Sequence, residues 1–544
     1  MNKKSIEKFA IEARKLLIEQ TAQRAAYYGV TAGKIYEVER ESSDGIVIDG
    51  KVHNKEIREQ RRKLVNEINA KGFDAVMEEI AYTWFNRFIA LRFMEVNDYL
   101  PSGVRVFSSL DPEKKQPDLL THAYEVDLPV EREEIYRLQQ DQNDEELYRR
   151  LLIAQCNALH QGLPFLFEEV ESYSELLFPS NLLFAGSIVR RMVEEIPEED
   201  WREVEIVGWM YQYYISERSD EVFAKKRNYT AEDIPPVTQK FTPAWIVKYL
   251  TENSLGRLWL ESHPESNLQE KWKYFLESCP QEETVHKYIE DRIIKGIKPE
   301  DIKILDPACG SGHILVYVFD VLFQIYQSLG YQEREIPAII LENNIYGFDI
   351  DKRSVQLSCF ALTMKARSKD RRFFTRNISP NVLTIESSNE LLKENLENYF
   401  GHCKREEQHS IQEFITFFED AHIYGFSLIR QSFDLEKIQS WIKSITDELY
   451  DFELTELLKE KIANIVEISK LLNQRYDCII TNPPYLEPSK TNTSLKSYIN
   501  NHYPKSKANM CNVFIEKGLF SLKEHGYLSI ITMHSWMFLS SSES

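Results

Sequence analysis

The sequence predicts an α/β fold: a mostly parallel sheet with helices on both faces, preceded by a mainly helical N-terminal domain. Three observations carry that prediction. From about residue 236 onward, short apolar runs alternate with longer helical stretches, the pattern of repeated strand–helix units. Several of those runs end in an acid or amide followed by glycine or proline, as strands do when they feed a turn. Before about residue 230, the apolar residues recur instead at three- and four-residue steps.

The elements follow in order. "AVMEEIAYTWFNRFIALRFMEVNDYL" puts Val76, Ile80, Trp84, Phe88 and Leu91 at the spacing of a buried helix face, and "EELYRRLLIAQCNALHQGL" and "VEIVGWMYQYYISERSDEVFAKK" continue the theme. Arg87 and Arg92, inside the aromatic helix, are expected to pair with nearby carboxylates rather than with the phosphates of a ligand. "DGIVIDGK" (Asp44 to Lys51) loosely resembles a nuclease acid–acid–lysine pattern but lacks a clear pair of flanking strands. "PPVTQKFTPAWIVKYLTENSLGRLWLE" is a proline-rich entry to an amphipathic helix, with Pro243 near its first turn. "IKILDPACGSGHILVYVFDVLFQIY" reads as strand, glycine turn and helix, and "NIYGFDIDKRSVQLSCFALTMKA" as strand, acidic turn and helix. "NVLTIE" is a third strand. A charged helical stretch then delays the fourth, "YDCIITN", which is followed by the helix "NMCNVFIEKGLFSLKEHG" and the strand "YLSIITM". The expected divisions are 1–235 (helical domain), 236–387 (first half of the sheet domain), 388–475 (helical insertion) and 476–544 (second half).

Composition narrows the function classes. At 43% hydrophobic and 28% charged, the 544 residues match a soluble globular protein. No window reaches the roughly 18 uninterrupted apolar residues of a membrane span. The charged start "MNKKSIEKFAIEARKLLIEQ" has no apolar core of a signal peptide. Seven cysteines without CxxC pairs or Cys/His clusters argue for reduced thiols in the cytoplasm and against a metal site. A net charge of −20 weighs against a broadly basic nucleic-acid face, though not against a local one. Between Glu487 and Lys507 stand Lys490, Lys496, Lys505 and Lys507, which fit a phosphate-facing loop and a solvated surface equally well.

Ligands of open parallel sheets sit beyond the carboxyl ends of the strands. Asp306, Asp349 and Asn482 each fall at such an end. Gly310 and Gly312 make the first turn tight and allow a ligand to approach the backbone, beside the N–H groups of the following helix. A dinucleotide fingerprint would want glycine where Leu315 stands, and no Gly-Lys-Ser/Thr follows to make a P-loop. Asp349 can accept the hydroxyls of a ribose, whereas Asp351 reads as the N-cap of the next helix. Asn482 precedes Pro483 and Pro484, so its backbone is restricted and its side chain is aimed.

"FTP" (Phe241 to Pro243), "DPACGSG" (Asp306 to Gly312), "YGFDID" and "NPPY" (Asn482 to Tyr485), in this order, resemble the methyltransferases that make N6-methyladenine in DNA. "YTWFNRFIALRFMEV" and "GWMYQYY" further resemble the PglX family of BREX phage-defence systems. The resemblance implies a Rossmann-like methyltransferase sheet that binds S-adenosylmethionine. Phe241, Thr242, Asp306 and Gly310 would lie near its methionine part, Asp349 at its ribose and Glu386 at its adenine, with Pro243, Ala308 and Gly312 also in the cofactor site. It implies double-stranded DNA with a flipped adenine as substrate, and other BREX proteins as partners. Asn482 and the carbonyl of Pro483 would accept the adenine N6 hydrogens, with Pro484 stiffening the turn and Tyr485 stacking on the base. Members of the family are about twice this length, so the chain reads as truncated after "GYLSIITMHSW". Two other readings stay open: the modification subunit of a type I or type IIG restriction system, and a non-catalytic subunit that binds cofactor or partners.

Overall fold

The helix Phe73–Val96 is apolar nearly all round, and it is enclosed accordingly: every residue from Trp84 to Val96 is buried. The structure, a computed structural model, describes residues 1–41, 45–55, 57–167, 173–224, 228–230, 233–239, 242–394, 396–400, 403–445 and 452–538. The chain divides into two compact units, Met1–Glu217 with Phe374–Asn377, and Arg218–Phe373 with Ile378–Ser544.

In the first unit the enclosed helix packs against the long helix Lys3–Tyr27. Arg92 has no exposed side-chain surface; it pairs with Glu95, donates to Ser108 Oγ at 3.0 Å and reaches Glu198 at 3.3 Å. The expected carboxylate pairing therefore holds for Arg92. Arg87 donates to the carbonyl of Leu166 at 3.3 Å and lies over the Trp84 ring. The unit also contains a small antiparallel sheet that helical periodicity did not reveal: β1 (Val38–Glu41), β2 (Ile46–Ile48) and β3 (Lys51–His53), in that order. Asp49 and Gly50 join β2 to β3 with φ of 49° and 71°, the left-handed pair that a two-residue hairpin demands. Within "DGIVIDGK", the second acid is thus turn chemistry; Asp44 lies outside the described residues.

The second unit is built on five parallel strands: β4 (Ile304–Asp306), β5 (Ile345–Asp349), β6 (Asn381–Thr384), β7 (Tyr476–Thr481) and β8 (Leu522–Ile530). Their order is β6-β5-β4-β7-β8. β4, β5 and β7 are buried at every position, as apolar strands covered on both faces must be. The chain lays down β4, β5 and β6 in one direction and then returns to add β7 on the other side of β4. The switch point lies between β4 and β7. Helices His313–Ser328, Lys352–Lys369, Phe452–Asn473 and Met510–Ser521 flank the strands. Leu315, which breaks the dinucleotide fingerprint, takes up the space above Gly347: a Cβ there would lie 2.9 Å from its Cδ1.

Between β6 and β7 the chain is helical (Arg405–Phe417, Leu435–Ser444 and Phe452–Asn473), and Phe414, Ile415, Trp441 and Ile462 join Phe348 and Ile479 in one apolar core. One boundary departs from the sequence reading. The last helix ends at Ser521 and β8 begins at Leu522, which pairs with Tyr476; the strand then bulges, with His525 at φ of 63° and Gly526 against the carbonyl of Asp477, where a Cβ would come within 2.8 Å, before Tyr527 pairs with Cys478. No helix among the described residues is long and apolar enough to cross a membrane.

Candidate active site

Asp306 ends β4 with 1% of its surface exposed. Its Oδ1 accepts the N–H of Ala308 at 3.2 Å and the hydroxyl of Thr481, the last residue of β7, at 2.7 Å. Its Oδ2 is buried with no hydrogen-bond partner among the described residues. Burial, reinforced by the nearby charge of Asp349, outweighs these two donors and pushes the carboxyl up to about 7. The Thr481–Asp306 bond ties together the two strand ends that flank the switch point.

The turn after Asp306 is held by Gly312 N–H to Cys309 O and Cys309 N–H to Phe348 O, both 2.9 Å. Gly310 and Gly312 have φ of 52° and 84°. Their surroundings differ. A Cβ on Gly312 would strike Ser358 Oγ at 2.4 Å, whereas one on Gly310 would meet nothing within 4 Å. Gly312 is required for packing; Gly310 borders open space.

Asp349 ends β5, 9% exposed, and accepts Gly310 N–H and Asp351 N–H, each at 2.9 Å. Desolvation raises its carboxyl to about 6, with backbone donors opposing the shift. Asp351 caps the helix Lys352–Lys369 through Arg353 N–H at 3.1 Å.

Asn482 follows β7 directly. Its Nδ2 donates to Thr242 Oγ1 at 3.1 Å, across 240 positions of sequence. Thr242 is 6% exposed, and Pro243 supplies the N-cap position of the helix Ala244–Glu252. With its nitrogen committed to Thr242, the amide is fixed in rotation and its oxygen in direction. Pro483 is buried, Pro484 and Tyr485 half-buried, and the Pro484 carbonyl accepts both Leu486 N–H at 3.1 Å and the Cys511 thiol at 3.6 Å. Burial pushes the Tyr485 hydroxyl up to about 12, so it stays neutral.

Thr242, Asp306, Ala308, Gly310, Asp349 and Asn482 are thus linked by direct hydrogen bonds or by adjacent strand ends. Glu386 is engaged elsewhere, in an ion pair with Lys461 at 3.0 Å. Phe241 lies outside the described residues. Sequence reasoning missed Thr481; the one available signal was a hydroxyl immediately before "NPPY". No group of three or more potential metal ligands occurs among the described residues.

Residues 343–544 match the Eco57I restriction-modification methylase family. Over its whole length the chain is 38% identical to the adenine-specific methyltransferase BrxX of Escherichia coli O9:H4 (strain HS), covering 47% of that protein. With 99% of its length it is 36% identical to the adenine-specific methyltransferase PglX of Lacticaseibacillus casei (strain Zhang), again covering 47%. The chain therefore spans about half the length of these relatives. Among solved structures, the DrdV–DNA complex aligns with 99% of this chain and 36% of its own, at 12% identity and a TM-score of 0.36.

Proposed function

We propose that this chain, a relative of the BrxX and PglX adenine-specific methyltransferases, performs the chemistry of a BREX-type DNA methyltransferase: methylation of adenine N6 in duplex DNA, with S-adenosylmethionine as donor. The observation that carries the reading is Asn482, an amide oriented by Thr242 at the switch point of a parallel sheet, one residue beyond the Thr481–Asp306 bond. The pocket chemistry suits the donor. The Asp306 oxygen without a partner is matched to a hydrogen-bond donor such as an ammonium group, and Gly310 leaves its backbone open. Thr242, Asp306, Ala308 and Gly310 would hold the amino-acid part and Asp349 the ribose. When bound, S-adenosylmethionine supplies a methyl group on a sulfonium, ready for displacement.

The chain's own part is positioning. An adenine amino group is a weak nucleophile because its lone pair is delocalised into the ring. The Asn482 side-chain oxygen and the Pro483 carbonyl each accept one N6 hydrogen, which favours a pyramidal nitrogen with its lone pair free to attack. Pro483 and Pro484 hold those acceptors in place, and Tyr485 offers a neutral face for the base to stack on. Catalysis then rests on orientation and electrostatics without a covalent intermediate. In this reading 236–387 binds the cofactor, 388–475 is a buttressing insertion, 476–544 carries catalysis and 1–235 is a helical packing domain. The setting is cytoplasmic, in phage defence alongside other BREX proteins.

The Eco57I match keeps one alternative, a modification subunit of a restriction system, in play; sequencing the methylated sites with and without BREX partners separates the two. The central test incubates the whole protein with radiolabelled S-adenosylmethionine and unmethylated DNA. Asn482→Ala is expected to lower incorporation by about 10²–10³-fold with cofactor binding retained, the range for loss of one transition-state hydrogen bond. Equal incorporation by the variant would overturn the assignment. Cofactor binding without methylation by the parent would favour a non-catalytic subunit.

A further inference from the structure

The segment that leaves the Asn482 turn is a closed excursion. Leu486 O accepts Met510 N–H at 2.9 Å, so residues 487–509 start and finish at the same point beside "NPPY". One face of the excursion is built into the core: Leu495, Ile499 and Tyr503 on and after the helix Thr493–His502 are buried. It is fastened by Tyr503 Oη–H to Ser427 O at 2.7 Å, Ile429 N–H to Tyr498 Oη at 2.9 Å and Ser494 Oγ–H to Asp420 at 2.8 Å. Tyr498 also stacks on Tyr424 at 4.0 Å.

Its other face is cationic. From Pro488 to Ile515 there is no Asp or Glu, in a chain with 86 of them among 544 residues. Lys490 is neutralised by Glu487 at 3.1 Å. Lys496, Lys505 and Lys507 are exposed, and among the described residues no carboxylate pairs with them. In a protein of net charge −20, an acid-free, rigidly mounted lysine surface next to the base-handling turn is where a polyanion would be tolerated.

Resting on the methyltransferase reading above, we infer that the excursion 487–509 is a phosphate-contacting platform, on which Lys496, Lys505 and Lys507 neutralise DNA backbone phosphates beside the target adenine. Such contacts position the duplex without reading its sequence. The measurable consequence is counterion release: each neutralised phosphate adds about 0.9 to the slope of log affinity against log salt.

The experiment measures binding of the whole protein to a fluorescein-labelled duplex between 50 and 200 mM salt. Lys496→Gln/Lys505→Gln/Lys507→Gln is expected to lower the slope by about 2.7, so the salt increase weakens its binding about 40-fold less than it weakens the parent's. S-Adenosylmethionine affinity and the order of preference among duplexes stay unchanged. The control, Lys287→Gln/Lys295→Gln/Lys298→Gln, removes exposed lysines at the opposite end of the strands and leaves the slope alone. Equal slopes in parent and platform variant, or equal reductions in both triple variants, overturn the platform while leaving the methyltransferase reading standing. A parent that binds cofactor but shows no salt-dependent affinity for duplex defeats both.

Discussion

Asp306 and Asp477 sit on adjacent strands of one sheet, each 1% exposed, yet at opposite ends they are treated oppositely. At the amino end of β7, Asp477 accepts Lys303 N–H at 2.8 Å and the ammonium of Lys523 at 2.7 Å. At the carboxyl end of β4, Asp306 has a hydroxyl and one N–H on a single oxygen and, among the described residues, no partner on the other and no cation. The chain completes one buried charge and leaves the other incomplete. Asp477 joins strands; Asp306 keeps one oxygen without a hydrogen-bond partner among the described residues. Perturbed carboxylates of the second kind concentrate at functional sites.

The sharpest way to break this comparison is to make the two ends alike. Lys523→Met removes the cation from Asp477 and leaves a buried charge held only by backbone. We expect a loss of about 3 kcal/mol, at the lower edge of the range for broken buried pairs because Lys523 is itself partly solvated. Urea unfolding of parent and variant measures it. A change below a few tenths would mean that the amino end tolerates an incomplete carboxylate too, and the contrast would vanish.

The next largest effect has the opposite sign. Asp306→Asn keeps an oxygen for Ala308 and Thr481 but removes the charge. Because the folded carboxyl titrates near 7 rather than near 4, the folded chain retains a proton through that window that the unfolded chain has released. Stability of the parent therefore falls as pH rises from about 4 to about 7 and is level above. Asp349, raised to about 6, adds a smaller decline in the same direction. The variant should be more stable than the parent by a few kcal/mol at pH 8, with the difference gone at pH 4. It should also bind S-adenosylmethionine at least tenfold more weakly, since the unmatched acceptor has become a donor. A variant less stable than the parent at pH 8 would show that the charge is already compensated.

How much of this was visible beforehand depends on sequence distance. The β4, β5 and β7 runs each carry their own signal, apolar residues ending in Asp306, Asp349 and Asn482, so both fold class and strand ends could be read locally. Asp351 as an N-cap was equally local. The bonds that make a site of these ends are not: Asn482 meets Thr242 and Thr481 meets Asp306 across 240 and 175 positions. Nothing in the composition around Glu386 announces Lys461, 75 residues later. The start of β8 is not legible locally because Leu519, Phe520 and Leu522 continue a helical texture, and what makes Leu522 a strand residue is its pairing with Tyr476 on a strand distant in sequence. The small N-terminal sheet escaped because its strands are three or four residues long and β1 is exposed throughout.

The two glycines of the turn test the comparison at finer scale, since one serves packing and the other borders open space. Gly312→Ala meets Ser358 both at its hydroxyl, 2.4 Å away, and at its Cα, 3.0 Å away, so the helix Lys352–Lys369 must move as well as a side chain. With the strain of φ at 84°, the expected loss is about 2 kcal/mol, read by thermal or urea unfolding. Gly310→Ala has the smallest expected effect on the fold. Its Cβ touches nothing, and only the left-handed φ of 52° is charged against it, about 1 kcal/mol. If that open space is where S-adenosylmethionine approaches the backbone, the added methyl group should weaken cofactor binding by well over the roughly fivefold that 1 kcal/mol of fold stability could account for, in a protein that remains folded. Calorimetric titration beside an unfolding curve separates the two quantities. A Gly310→Ala protein that binds the cofactor as the parent does would show that the space beside Gly310 is not the binding surface, and would leave Asp306 as an incomplete charge awaiting some other donor.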